Sequence, residues 1–127
     1  MDKKKTQLKF DKEAAILPIG AVAQAIGVVP TTLRIWDKEN ILSPKRTSKN
    51  RRNYSFGDID KAKLINFLTN NLAVNLAGVK VILGLLEENN IPVEEYFDFV
   101  NKIALKKNID QQQNILKTSK RGRKASK

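Results

Sequence analysis

The chain has 127 residues, 41% of them hydrophobic, and 24 lysines and arginines against 13 acids give a net charge of +11; this suits one small folded unit with an anionic partner. Cysteine and histidine are both absent, which removes disulfides, thiolate or imidazole metal sites and the commonest catalytic pairings, so neither catalysis nor a metal or cofactor is expected. No apolar run approaches the roughly 20 residues of a membrane span, and the lysine-rich start lacks the apolar core of a secretory signal, so a cytoplasmic location without membrane contact is expected.

The elements follow in chain order. Residues 1–15 mix lysine with acids, lack apolar periodicity and read as a flexible arm. Ile19, Val22, Ala23 and Ile26 recur at helical spacing, and Gly27 stops this first helix where a positive φ is easy. Pro30 suits the first position of a second helix, needing no amide donor there. Leu33 and Trp36 face the core, and Asn40, which tolerates the left-handed conformation, ends the helix. Residues 45–47 and 52–54 form a small hairpin around the polar turn Ser48-Lys49-Asn50.

Ser55-Phe56-Gly57-Asp58 has the form of a capping box, and Ile59, Ala62, Ile65, Leu68 and Leu72 continue it as a third helix. Asn75 caps a fourth, whose apolar face is Leu76, Val79, Ile82, Leu83 and Leu86. After Pro92 a fifth helix carries Val93, Tyr96, Phe97, Val100, Ile103 and Ala104 on one stripe and extends toward Leu116. Residues 117–127 lack leucine, isoleucine and phenylalanine and read as a disordered basic tail.

Charge is unevenly placed along these elements. Lys45, Arg46, Lys49, Arg51 and Arg52 have no acid between them, and Lys117, Lys120, Arg121, Arg123, Lys124 and Lys127 crowd the tail. Together they account for the whole excess, since the remaining 13 basic residues balance the 13 acids. Such patterning points to phosphate at the loop, while the tail is equally explained as solubilising surface.

Ala23, Gly27 four residues later and Leu33 six after that have the spacing of a helix-turn-helix: a close helix contact, a tight turn and an anchor for the second helix. With Leu33 and Trp36 inside, Thr31, Thr32, Arg34, Asp37 and Lys38 lie outside. Arg34 suits guanine edges or phosphate, and a surface ion pair with Asp37 is its plain alternative. In the loop, strand alternation separates Arg52 and Tyr54 from Arg51 and Asn53. Arg52 and Tyr54 are expected on phosphate and Arg51 near the minor groove or sugar edge, with a core role the alternative for Tyr54. The DNA-contacting set is then Thr31, Thr32, Arg34, Lys38, Lys49, Arg51, Arg52 and Tyr54.

From Leu17 through Glu88 the chain resembles the DNA-binding domain of MerR-type transcription regulators. The resemblance rests on Ile19-Gly20, Thr32-Leu33-Arg34 with Trp36-Asp37, and Leu42-Ser43-Pro44. Asn50-Arg51-Arg52-Asn53-Tyr54-Ser55 and Val74-Asn75-Leu76-Ala77-Gly78-Val79 are most similar to the heat-shock repressor (HspR) and glutamine-synthetase repressor (GlnR) branches. Val29 departs from the family's usual serine or threonine cap and Asn40 from its common glycine, and only residues 92–116 stand where the family has a long dimerisation helix and sensor domain.

The resemblance implies a mainly α fold: a winged helix-turn-helix with a β-hairpin wing in residues 16–90, a helix pair, and a short C-terminal dimerisation helix in residues 91–116. It implies a repressor that binds double-stranded DNA at a near-palindromic operator as a homodimer, nucleoid-associated when bound, with a protein co-regulator as a possible partner. The dimer contact is expected from Tyr96, Phe97, Val100, Ile103 and Ala104. A phage-type architectural or recombination directionality factor, and a protein-interaction adaptor with a basic tail, are the alternatives.

Overall fold

The computed structural model describes residue 11 and residues 13–109. In chain order the elements are β1 (Leu17–Pro18), α1 (Ile19–Ile26), α2 (Pro30–Lys38), β2 (Lys45–Arg46), β3 (Arg52–Tyr54), α3 (Phe56–Asn66), a π-helical turn (Phe67–Asn71), α4 (Leu76–Glu88), a 3-10 turn (Val93–Glu95) and α5 (Tyr96–Lys106). The fold is mainly helical with one small antiparallel sheet.

Gly27 ends α1 at φ 88, and its N–H donates to the Ala23 carbonyl at 2.8 Å. α2 begins on Pro30 after an extended Val29 that supplies no side-chain cap. The chain bends by 106° between the two helices, as in a helix-turn-helix corner. Val22, Ala23, Leu33 and Trp36 are all buried at this corner, and their apolar burial holds α2 in place.

Asparagine takes the place of glycine at three helix ends. Asn40 has φ 60, its N–H donates to the Asp37 carbonyl at 3.0 Å, and the Ile41 N–H donates to the Trp36 carbonyl at 2.8 Å; these are the paired bonds of a Schellman ending. Asn90 closes α4 and Asn108 closes α5 in the same way, each at φ 56. The fifth helix therefore stops at Lys106 instead of running toward Leu116, because the Ile109 N–H turns back onto the Ala104 carbonyl at 3.0 Å. Residues 1–10 and 12 of the expected arm, and residues 110–127 with the expected tail, lie outside the described residues.

The last residues of that arm are tied down. Asn53 Nδ2 donates to the Ala15 carbonyl at 3.1 Å, and Leu17 and Pro18 pair with Tyr54 and Asn53. β1 is too short to show alternation in the sequence, and it makes β3 the central strand of the order β1-β3-β2. The hairpin register sets Lys45 opposite Asn53 and Arg46 opposite Arg52. Its three-residue turn ends on Asn50 at φ 62, with the Asn50 N–H donating to the Thr47 carbonyl at 2.8 Å. A left-handed last residue is what such loops require.

α3 is the central helix. Ser55 Oγ accepts from the Asp58 N–H at 3.0 Å while Asp58 Oδ2 accepts from the Ser55 N–H at 2.9 Å, a complete capping box. The single apolar stripe read from the sequence buries Ala62, Ile65 and Leu68, but Leu64 is equally buried, because α1 and α5 both pack against α3. The helix then widens into the π-helical turn, where the Leu72 N–H donates to the Phe67 carbonyl at 3.2 Å. Ala73, with φ 57, turns the chain toward α4.

Candidate nucleic-acid interface

Because Leu33 and Trp36 anchor α2 inward, helical geometry sends Thr31, Arg34, Ile35 and Lys38 outward. All four are exposed, and Thr32 is half-buried. Ile35, 45% exposed, is absent from the expected contact set; its signal was available, since it is neither at a core position of the helix nor polar. Arg34 lines a cleft of about 330 Å³ with Thr47, Asn50, Arg51 and Arg52, so the helix and the hairpin share one surface.

Asp37 joins the two. Its Oδ2 accepts from Arg52 Nε at 2.8 Å and from Arg46 Nη2 at 3.0 Å, and Arg46 Nη1 also donates to the Asn50 carbonyl at 3.2 Å. The carboxylate thus belongs to the hairpin arginines and not to Arg34, as the ion-pair alternative would have had it. Lys45, Lys49 and Arg51 stay exposed on the hairpin. Arg52, expected on phosphate, has a side chain 23% exposed whose Nε is turned onto Asp37, since the face it occupies packs toward α2.

Tyr54, expected on phosphate, is a core residue. It sits in the central strand opposite Leu17 at 0% exposure, its hydroxyl buried without a hydrogen bond to the described residues. A phenol so placed cannot reach a DNA backbone. Burial pushes its pKa up to about 12, against the pull of the nearby Arg52 guanidinium. Strand alternation put Arg52 and Tyr54 on one face correctly, but that face is internal.

The fifth-helix residues divide. Tyr96 and Ala104, expected as dimer contacts, are buried within the chain itself and serve as packing residues; burial, then Glu87, raises the Tyr96 phenol pKa. Phe97 meets Phe67 edge-on with ring centroids 5.0 Å apart, and Val100 is half-buried. Ile103 remains exposed beside Leu85, Phe99 and Ile109, and these four border an apolar groove of about 390 Å³ between α4 and α5. Phe99 and Leu85 lie outside the expected set because they sit off the single apolar stripe of the fifth helix and on the outer face of the fourth.

Among the described residues no single helix is long and apolar enough to cross a membrane. Residues 17–86, more than half of the chain, match the family described as MerR HTH family regulatory protein. The HTH-type transcriptional regulator GlnR of Bacillus anthracis is 35% identical over 104 residues, covering 79% of each chain. A protein named heat shock protein HspR from Streptomyces coelicolor is 32% identical over 89 residues, covering 70% of this chain and 58% of its own. A ZntR homolog of Haemophilus influenzae, an HTH-type transcriptional regulator, is 32% identical over 82 residues, covering 62% of this chain and 58% of its own. With its helix corner, exposed α2 face and basic hairpin, the chain belongs to the MerR family of helix-turn-helix, DNA-binding transcription regulators.

Proposed function

We propose that the protein is a sequence-specific repressor that binds a near-palindromic operator in double-stranded DNA as a homodimer. The observation that carries this reading is the joint of α2 and the hairpin at Asp37, which leaves Thr31, Arg34 and Lys38 exposed on one side and Lys45, Lys49 and Arg51 on the other. α2 serves as the recognition helix in the major groove. Arg34 offers a forked donor to guanine, and Thr31 and Thr32 offer hydroxyls to phosphate and methyls to thymine. The hairpin serves as the wing, with Lys49 and Arg51 on flanking phosphates. Repression is the sign implied by the resemblance to the HspR and GlnR branches.

A two-fold operator calls for a two-fold protein. The surface that favours pairing is the apolar border formed by Leu85, Phe99, Ile103 and Ile109. Selection of bound duplexes from genomic DNA, followed by footprinting, tests the whole reading: one near-palindrome at a promoter is expected. Several direct repeats at a recombination attachment site would instead support an architectural factor. Light scattering of Ile103→Glu is expected to show loss of the dimer with the fold retained, and an unchanged dimer would reject this face.

A further inference from the structure

We propose that Asp37 is a positioning residue that stands in for DNA phosphate within the protein, fixing the hairpin on α2, holding the Arg46 and Arg52 side chains and cancelling one of their two charges. The inference rests on the DNA-binding reading above. Arg46 and Arg52 are direct cross-strand partners, and two like charges placed opposite each other work against a strand pair. This hairpin has only a three-residue turn and a two-residue β2 to hold that register, so the repulsion needs an answer. Asp37 supplies it with one oxygen, Oδ2, which takes a guanidinium N–H from each arginine at 2.8 and 3.0 Å.

The carboxylate is 15% exposed, so water and salt screen it less than a free surface acid. Arg46 is further committed through its bond to the Asn50 carbonyl at the turn. Asp37 therefore orients the turn that carries Lys49; Arg46, though its side chain is 40% exposed, is directed to Asp37 and the turn, while Lys45, Lys49 and Arg51 point their charge to solvent. An uncommitted arginine pair would strengthen binding to every sequence alike, since phosphate contacts carry no base information. Holding the pair on Asp37 favours the operator over bulk DNA.

The test measures the salt dependence of binding to two labelled duplexes, one of random sequence and one recovered by selection. Asp37→Asn is expected to steepen the log–log salt slope on random duplex by about 0.9 per protomer, because losing one carboxylate adds one net positive charge to the trio. Random-duplex affinity should rise roughly tenfold at moderate salt and the ratio of selected to random binding should fall. Asp37→Glu, which keeps the charge, is expected to retain the wild-type slope. Replacing both arginines, Arg46→Gln with Arg52→Gln, should erase the gain made by Asp37→Asn, a coupling that a merely structural role would not produce.

An unchanged or shallower slope in a folded Asp37→Asn protein overturns the proposal. So does a gain from Asp37→Asn that survives when both arginines are replaced by glutamine. Failure of the wild-type protein to bind any duplex would sink the DNA-binding reading, whereas duplex binding with an unchanged slope sinks only the role given to Asp37.

Discussion

Replacing Tyr54 by phenylalanine removes one oxygen from the center of the sheet and leaves the ring where it packs. The hydroxyl is fully buried without a hydrogen bond to the described residues, and burying such a group uncompensated costs roughly 1–3 kcal/mol. Tyr54→Phe is therefore expected to stabilise the protein by about 1 kcal/mol or more, a rise in Tm of about 4–8 °C per kcal/mol for a domain of this size. Alkali gives an independent readout. The folded phenol titrates near 12 and an unfolded tyrosine near 10, so between those values the native state holds the extra proton and stability falls as pH rises. That contribution is fully present below about pH 10, and about 3 kcal/mol of stability has been lost once pH passes 12. Urea melts of both proteins at stepped pH would show the wild type losing stability relative to Tyr54→Phe across this interval. DNA affinity at neutral pH should be equal for the two. A destabilised Tyr54→Phe, or one with weakened duplex binding, would refute the placement of this side chain in the core.

Leu33→Ala opens a cavity at a fully buried position where α2 is anchored, with an expected loss of about 2–5 kcal/mol in denaturant melts and a loss of duplex binding beyond that of Arg34→Ala. Ser55→Ala removes one half of the capping box on α3 and should cost about 1 kcal/mol by the same melts. Ala73→Gly relieves a left-handed alanine at φ 57 and should stabilise by up to about 1 kcal/mol, the relief being partly offset by the greater freedom of glycine when unfolded. Arg34→Ala should weaken the selected duplex more than a random one, as expected of a base contact, which paired gel-shift titrations would measure.

Local signals in the chain read well where one residue decides one backbone feature. Gly27, Pro30, Asn40 and the Ser55–Asp58 box each set a helix end by φ preference or by a single hydrogen bond, and the structure has them there. The fifth helix is shorter than its apolar stripe suggests because Asn108, followed by the apolar Ile109, ends it with the same left-handed asparagine chemistry as Asn40. β1 is illegible in the sequence for a different reason: two residues carry no periodicity, and their pairing partners lie more than thirty positions away at Asn53 and Tyr54.

Sequence alone determined the helix corner, the anchors Leu33 and Trp36, the hairpin turn and the gathering of charge beside it, because spacing, turn chemistry and formal charge are properties of neighbours along the chain. Which charges are spent inside the molecule was decided only by the tertiary structure. Arg46, Arg52 and Asp37 come together from the hairpin and α2, and Tyr54 passes from candidate contact to core once β1 covers its strand. A strand pattern shows which residues share a face, but only the packed neighbours settle whether that face meets water or protein.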